Sequence, residues 1–249
     1  MKVIVDGLGT EYWDEGSGEV VLMLHGWGDS LHSFDELVER LKGDYRIIRV
    51  DFPGFGKSEL PKGIWDVAKY TRFVSDFCKK EGIEPVYIIG HSFGGRILVK
   101  GLSSGTLTAR KAVLMGSAGV ADRKTLRNDT FILISKIGKL LLRPFPRVWY
   151  LRLRKELYRV TGGDYISAGA LSDTFVRVIN EDLSRDAALV SIPTLLIWGE
   201  DDLVTPISEG KKLKRLIRES ELHVLTHSGH FVHQQRPDDV ARLIKEFCV

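Results

Sequence analysis

Residues Val86 to Lys100 constrain this chain more than any other stretch. Val86 to Ile89 is a short apolar run with the β-branching of a buried strand, and Arg96 to Leu102 has the apolar spacing of a helix. Between them stands Gly90-His91-Ser92-Phe93-Gly94-Gly95. A serine at such a junction sits on a sharp strand-to-helix turn, in a strained backbone conformation. Strand and helix backbones pass close together there, so the neighbours must be small. Gly90 and Gly94 supply that room, and Gly95 lets the helix approach the sheet. The Ser92 hydroxyl is thereby expected at the carboxyl edge of a sheet, beside a helix N-terminus.

The rest of the chain supplies the sheet. Val3-Ile4-Val5 and Thr10 to Trp13 flank Asp6-Gly7, a hairpin signal. Val20 to Leu24 is a continuous apolar run, as expected of a strand covered on both faces, and it ends in His25-Gly26-Trp27-Gly28. Ser33-Phe34-Asp35-Glu36 reads as a capping box that opens a helix with Phe34, Leu37, Val38 and Leu41 on one face. Further strands are expected at Tyr45 to Val50, Ala112 to Met115, Ile192 to Trp198 and Glu221 to Leu225. Helices are expected at about Asp66 to Lys80, Ile207 to Leu216 and Pro237 to Phe247. Strands and helices alternate, which predicts an α/β fold with a mostly parallel central sheet and helices on both faces. The rhythm breaks between Val120 and Asp186, where only helix-like segments occur. We therefore expect a core of residues 1–119 and 187–249, with residues 120–186 as a helical cap insertion over the sheet's carboxyl edge.

Composition limits the function classes. A formal charge of +3 over 249 residues is too small for a nucleic-acid footprint, and no recognition motif accompanies it. No apolar run approaches the length of a membrane span, and Met1 to Asp6 turns acidic too soon for a signal peptide. Cys78 and Cys248 fall at apolar helix positions and read as buried free thiols. A cytoplasmic protein, monomer or homodimer, is expected. Its membrane contact is expected to be at most a weak peripheral one, through the basic and aromatic stretch Arg143 to Lys155.

A serine hydroxyl is a poor nucleophile near neutral pH and needs a base, best a histidine held by a carboxylate. All loops that follow parallel strands emerge at one edge of the sheet. Asp202 (or Asp201) and His230 follow later strands, in the order Ser, Asp, His. His227, His230 and His233 are spaced by three without an accompanying carboxylate, a poor match to zinc motifs, so no metal and no cofactor is expected. The glycines and lysine of Asp51 to Ser58 lack P-loop spacing, which leaves that loop a structural role. His25 and His91 are expected to brace the loops around the serine.

Here the chain resembles the α/β-hydrolase superfamily over nearly its whole length. The matching pieces are His25-Gly26-Trp27-Gly28, Asp51 to Ser58, the Gly90 to Gly95 turn, Trp198 to Asp202 with Pro206, and Gly229-His230 with Pro237. The resemblance implies Asp202 as the acid, from its spacing to Gly199 and Pro206. It also implies an oxyanion hole made by the backbone N–H groups of Trp27 and Phe93. Serine at position 92 sets the chain apart from the branches with a carboxylate nucleophile. The implied reaction is hydrolysis of small to medium carboxylic esters through an acyl-enzyme, the partner being a small-molecule ester. A carbon–carbon-bond hydrolase of ring-cleavage products is the alternative, although that branch usually has Trp where this chain has Phe231. A slow-turnover ligand sensor that keeps the triad is a further one.

Overall fold

The computed structural model describes residues 1–120 and 169–248. The chain opens with β1 (Lys2–Val5) and β2 (Leu8–Gly16), joined through Asp6 and Gly7 at φ 50° and 74°. Two consecutive positive φ values make the tight turn that matches the twist of a hairpin. β3 (Glu19–Leu24) follows, then a 3₁₀ turn at Leu31–Phe34, α1 (Asp35–Leu41) and β4 (Tyr45–Val50). The capping box expected at Ser33 does not form. The 3₁₀ turn delays the helix to Asp35, and the buried Ser33 hydroxyl lies 2.9 Å from His233 Nε2 instead.

α2 (Val67–Glu81) is defined at both ends by its sequence. The Asp66 carboxylate accepts the N–H of Lys69 at 2.8 Å, and Gly82 closes the helix in the left-handed conformation. β5 (Tyr87–His91), α3 (Phe93–Ser104) and β6 (Lys111–Met115) carry the turn around Ser92. The expected insertion falls mostly on residues outside the described ones, as does the Arg143 to Lys155 stretch. Its described end holds a 3₁₀ turn at Gly169–Leu171, α4 (Ser172–Ile179) and the start of α5 (Ser184–Leu189). β7 (Thr194–Gly199), α6 (Ile207–Leu216), β8 (Ser220–Leu225), a short α7 (Val232–Gln235) and α8 (Pro237–Cys248) complete the described chain. The α7 turn had no signal in the sequence.

The eight strands form one sheet in the order β1-β2-β4-β3-β5-β6-β7-β8. β1 and β2 pair antiparallel, as do β2 and β4, and every other pairing is parallel. Alternate residues feed two cores. Leu22, Leu24, Ile88, Leu114, Leu196 and Trp198 pack with α2, α3 and α6 on one face. Val21, Met23, Ile89, Val113, Leu195 and Ile197 pack with α1 and α8 on the other. Each fully buried aliphatic side chain contributes about 1.5–3 kcal/mol, so strands covered on both faces need continuous apolar sequence. Cys78 and Cys248 are free and buried within these cores, and burial pushes both thiols up to about 12. Among the described residues no helix is long and apolar enough to cross a membrane. The parallel strands all point one way, so the loops after β3, β4, β5, β6, β7 and β8 gather at one edge.

Candidate active site

Ser92 stands between β5 and α3 with φ 49° and ψ −107°, a conformation rare for any residue but glycine and costing on the order of 1–3 kcal/mol. The close crossing around it is real. A Cβ at Gly94 would collide with the Leu24 carbonyl, and one at Gly90 would lie 2.8 Å from the Gly94 backbone. The Ser92 N–H donates to the Met115 carbonyl at 3.0 Å, which ties the turn to the end of β6. The following residue, Gly116, faces Asp202 and His230: a Cβ there would lie 3.2 Å from Asp202 Oδ2 and 3.3 Å from His230 Nδ1.

Asp202, not Asp201, meets His230. Its Oδ2 accepts from His230 Nδ1 at 2.9 Å, and its Oδ1 accepts the N–H groups of Val204 and Thr205, both at 2.9 Å. The Thr205 hydroxyl lies 2.8 Å from Oδ2 and 3.0 Å from the Gly116 carbonyl; its single proton is best placed on the ionised carboxylate. Burial by itself would raise the Asp202 carboxyl. The hydrogen bonds from His230 and Thr205 and the attraction of the imidazole outweigh it, and hold the group below its ordinary range. Nδ1 of His230 is thereby committed as a donor, which leaves Nε2 to accept a proton.

Three more histidines brace the loops around the serine. His91 directs Nε2–H at the His230 carbonyl (3.0 Å), and the two rings lie 4.8 Å apart, so the residue before the serine holds the loop of the base. His233 packs 4.5 Å from the His91 ring and is fully buried, with Ser33 at its Nε2. Burial, with the neighbouring rings, pulls His91 well below its ordinary range and His233 down to about 3, so both stay neutral. His25 Nδ1–H donates to the Gly26 carbonyl at 2.7 Å and Nε2 accepts the N–H of Phe52 at 3.0 Å. Such a ring is a strut, and burial keeps it neutral.

The predicted oxyanion pair frames the serine. Gly26 packs on the turn, where a Cβ would lie 3.0 Å from His91 Nδ1 and 3.5 Å from Ser92 Cβ, and Trp27 follows it. Phe93 opens α3, so its N–H belongs to the first turn, which no helical carbonyl satisfies. The Trp27 ring lies 5.2 Å from Phe93, 4.9 Å from Phe55 and 5.1 Å from Phe175, an aromatic cluster that joins the Trp27 loop to the start of α3 and to α4. The Asp51 loop is structural, as expected: its carboxylate accepts the N–H groups of Leu31 and Lys57, and Gly56 (φ 54°) leaves no space for a side chain against it.

Sequence reasoning passed over Thr205 and weighed His233 only as a poor match to a zinc ligand. Thr205 had a usable signal, since a threonine three residues after an aspartate closes a side-chain turn. His233 had none, because its partners Ser33 and His91 are distant in sequence. Among the described residues no three His, Cys, Asp or Glu side chains are grouped to hold a metal ion.

Known proteins resemble this chain at low identity. An uncharacterised hydrolase of Bacillus subtilis is 26% identical over 268 aligned residues, covering 99% of this chain and 96% of its own length. The 2-hydroxy-6-oxo-2,4-heptadienoate hydrolase of Pseudomonas putida is 24% identical, covering 98% and 94%. Among solved structures, a meta-cleavage product hydrolase from Pseudomonas fluorescens superimposes with a TM-score of 0.76 at 24% identity, over 99% of this chain and 96% of the other. The sequence profile of the Alpha/beta hydrolase family matches residues 21–243. That match runs from within β3 to within α8, and the chain belongs to the alpha/beta hydrolase family.

Proposed function

We propose that this chain is a serine hydrolase in which Ser92 attacks a carbonyl carbon, His230 takes the serine proton and Asp202 holds His230. The observation that carries this reading is the 2.9 Å bond between Asp202 and His230, set against the strained turn of Ser92. The backbone N–H groups of Trp27 and Phe93 serve the developing oxyanion, where preorganised donors act most strongly. His230 then delivers its proton to the leaving group, and water attacks the acyl-enzyme. This scheme cleaves either a carbon–oxygen bond, with an alcohol leaving, or a carbon–carbon bond beside a ketone, with the leaving carbon protonated.

Carbon–carbon cleavage of a 2-hydroxy-6-oxo-dienoate-type substrate is the reading the relatives support best, ahead of the ester hydrolysis the sequence suggested. Relatives named as hydrolases of such acids are 24% and 26% identical over nearly the whole chain. Ester hydrolysis is the second reading, favoured by the apolar wall of Trp27, Phe55, Phe93 and Phe175, which suits an acyl chain. The test is turnover of 2-hydroxy-6-oxo-6-phenylhexa-2,4-dienoate, followed by loss of its visible absorbance, beside a chain-length series of p-nitrophenyl esters. We expect turnover of the dienoate that falls at least 10³-fold in Ser92→Ala. Serine-dependent turnover of the esters alone would transfer the proposal to the second reading. Turnover of either that survives in Ser92→Ala would remove the nucleophile from both.

A further inference from the structure

Arg96 lies one turn beyond Ser92 in α3, yet its side chain leaves the elbow and is buried against the end of another helix. Its Nη1 donates to the carbonyls of Val178 (2.9 Å) and Glu181 (3.0 Å), the last turn and the flank of α4. The Val178 carbonyl also accepts the Glu181 N–H at 3.3 Å, and the guanidinium adds a charged donor there while serving the Glu181 carbonyl with the same planar group. The same face of α3 continues the contact. Lys100 pairs with Glu181 at 3.3 Å and with Asp186 at 3.1 Å, and Ser103 donates to Asp186 at 2.9 Å. Leu183 N–H bonds the Gly119 carbonyl at 2.9 Å, so the chain entering and leaving the insertion is joined at the same place. A buried cation needs compensation. It finds it in the carbonyls at the negative end of α4 and in the attraction of carboxylates around it, Glu181 and Asp182 among them.

What α4 carries gives this anchor a function. Thr174 accepts the N–H of Trp65 at 3.0 Å, and Phe175 lies 5.1 Å from the Trp27 ring. One end of α4 is thus held by the helix of the nucleophile, while its middle forms the wall beside the predicted oxyanion loop. We propose that Arg96 is a positioning residue that sets α4, and with it Phe175, against Trp27, and thereby selects the length of acyl group accepted at Ser92. The proposal rests on the serine-hydrolase reading above, and deepens it by naming what determines specificity.

The test uses the whole chain and two p-nitrophenyl alkylphosphonates, ethyl and octyl, which phosphonylate an active serine. Ser92 Oγ bonds to phosphorus, p-nitrophenolate leaves, and its absorbance reports both the half-saturating concentration and the limiting rate. In Arg96→Gln we expect half-saturation by the octyl probe to rise at least tenfold, with the limiting rate for the ethyl probe within threefold of wild type. Arg96→Lys, which keeps the charge but loses the fork, is expected to recover part of the octyl defect. Phe175→Ala should reproduce that defect, and adding Arg96→Gln to it should change little, because both act through one wall. Equal loss with both probes, or full additivity of the two substitutions, would overturn the proposal. Should Arg96→Gln fail to fold, Arg96→Lys and Phe175→Ala decide by the same comparison. A wild-type protein labelled by neither probe would instead count against the serine-hydrolase reading. Arg96 would then be judged by hydrogen exchange of the 172–182 amides, whose protection should drop at least tenfold in Arg96→Lys while α2 is unchanged; unchanged protection there would sink it.

Discussion

Thr205 shows how much of a buried carboxylate's character comes from a neighbour. Its hydroxyl is shared among Asp202 Oδ2, the Gly116 carbonyl and His230 Nδ1, at 2.8, 3.0 and 3.2 Å. Removing it leaves Asp202 buried with one donor fewer, which favours the neutral acid. A neutral Asp202 neither holds the His230 tautomer nor stabilises its imidazolium. In Thr205→Val we therefore expect kcat about tenfold lower at neutral pH, the equivalent of one charge-assisted hydrogen bond of about 1.4 kcal/mol. The acid limb of the pH–rate profile should also move to higher pH. The sign follows from Asp202, whose depressed folded pKa means its ionised form is lost as pH falls, and lost sooner without Thr205. An acid limb that stays in place would assign the hydroxyl to Gly116 alone.

At the scale of elements, the reactive turn depends on how closely α3 lies on β3. Gly94 makes that contact, since a Cβ there would run into the Leu24 carbonyl, a backbone atom that cannot step aside. Gly94→Ala is expected to destabilise the fold by about 3 kcal/mol, as overpacking of a rigid contact does. Gly43 is the control: a Cβ there meets nothing within 4 Å, and its φ is not positive. Gly43→Ala should change stability by less than about 0.5 kcal/mol. Urea unfolding of the two variants beside wild type separates a close approach from a mere loss of glycine. The Gly94 expectation was legible in the sequence, because only glycine at a strand-to-helix junction permits so near a crossing. The anchoring of α4 by Arg96 was not. Its acceptors are main-chain carbonyls more than 80 residues away, and carbonyls carry no sequence identity.

Across the whole molecule, burial of uncharged histidines sets the response to acid. His25, His91 and His233 all have folded pKa values below the ordinary 6.5, His233 at about 3, chiefly through burial. As pH falls below about 6.5 the unfolded chain takes up these protons first, so stability is lost on acidification from there to about pH 3. Glu209 acts in the opposite sense. Burial raises its carboxyl to about 7, so the folded state keeps a proton that the unfolded chain releases near 4.5, and stability falls as pH rises between the two. With three histidines against one carboxyl, acid should win. The free energy of unfolding is expected to fall from pH 6 to pH 4. In His233→Gln that slope should be shallower by about one proton, or about 1.4 kcal/mol per pH unit. Urea midpoints measured across that range check it, and an unchanged slope would show that His233 takes up its proton without unfolding.

The amino-acid sequence by itself determined the alternation of strands and helices, the turn at Ser92 and the chain order of Ser92, Asp202 and His230. Those features are local: periodicity, glycine at a forced crossing, and loops that must leave a parallel sheet at one edge. The sequence left Asp201 and Asp202 as rivals, and the tertiary structure resolved their geometry. Only Asp202 turns inward, where the Val204 and Thr205 amides and His230 can satisfy a buried carboxylate. It likewise decided that Ser33 meets His233 instead of capping α1, and that Arg96 reaches α4. Each of these turns on which distant groups burial brings within 3 Å of one another, where a hydrogen bond offsets the cost of taking a polar group out of water.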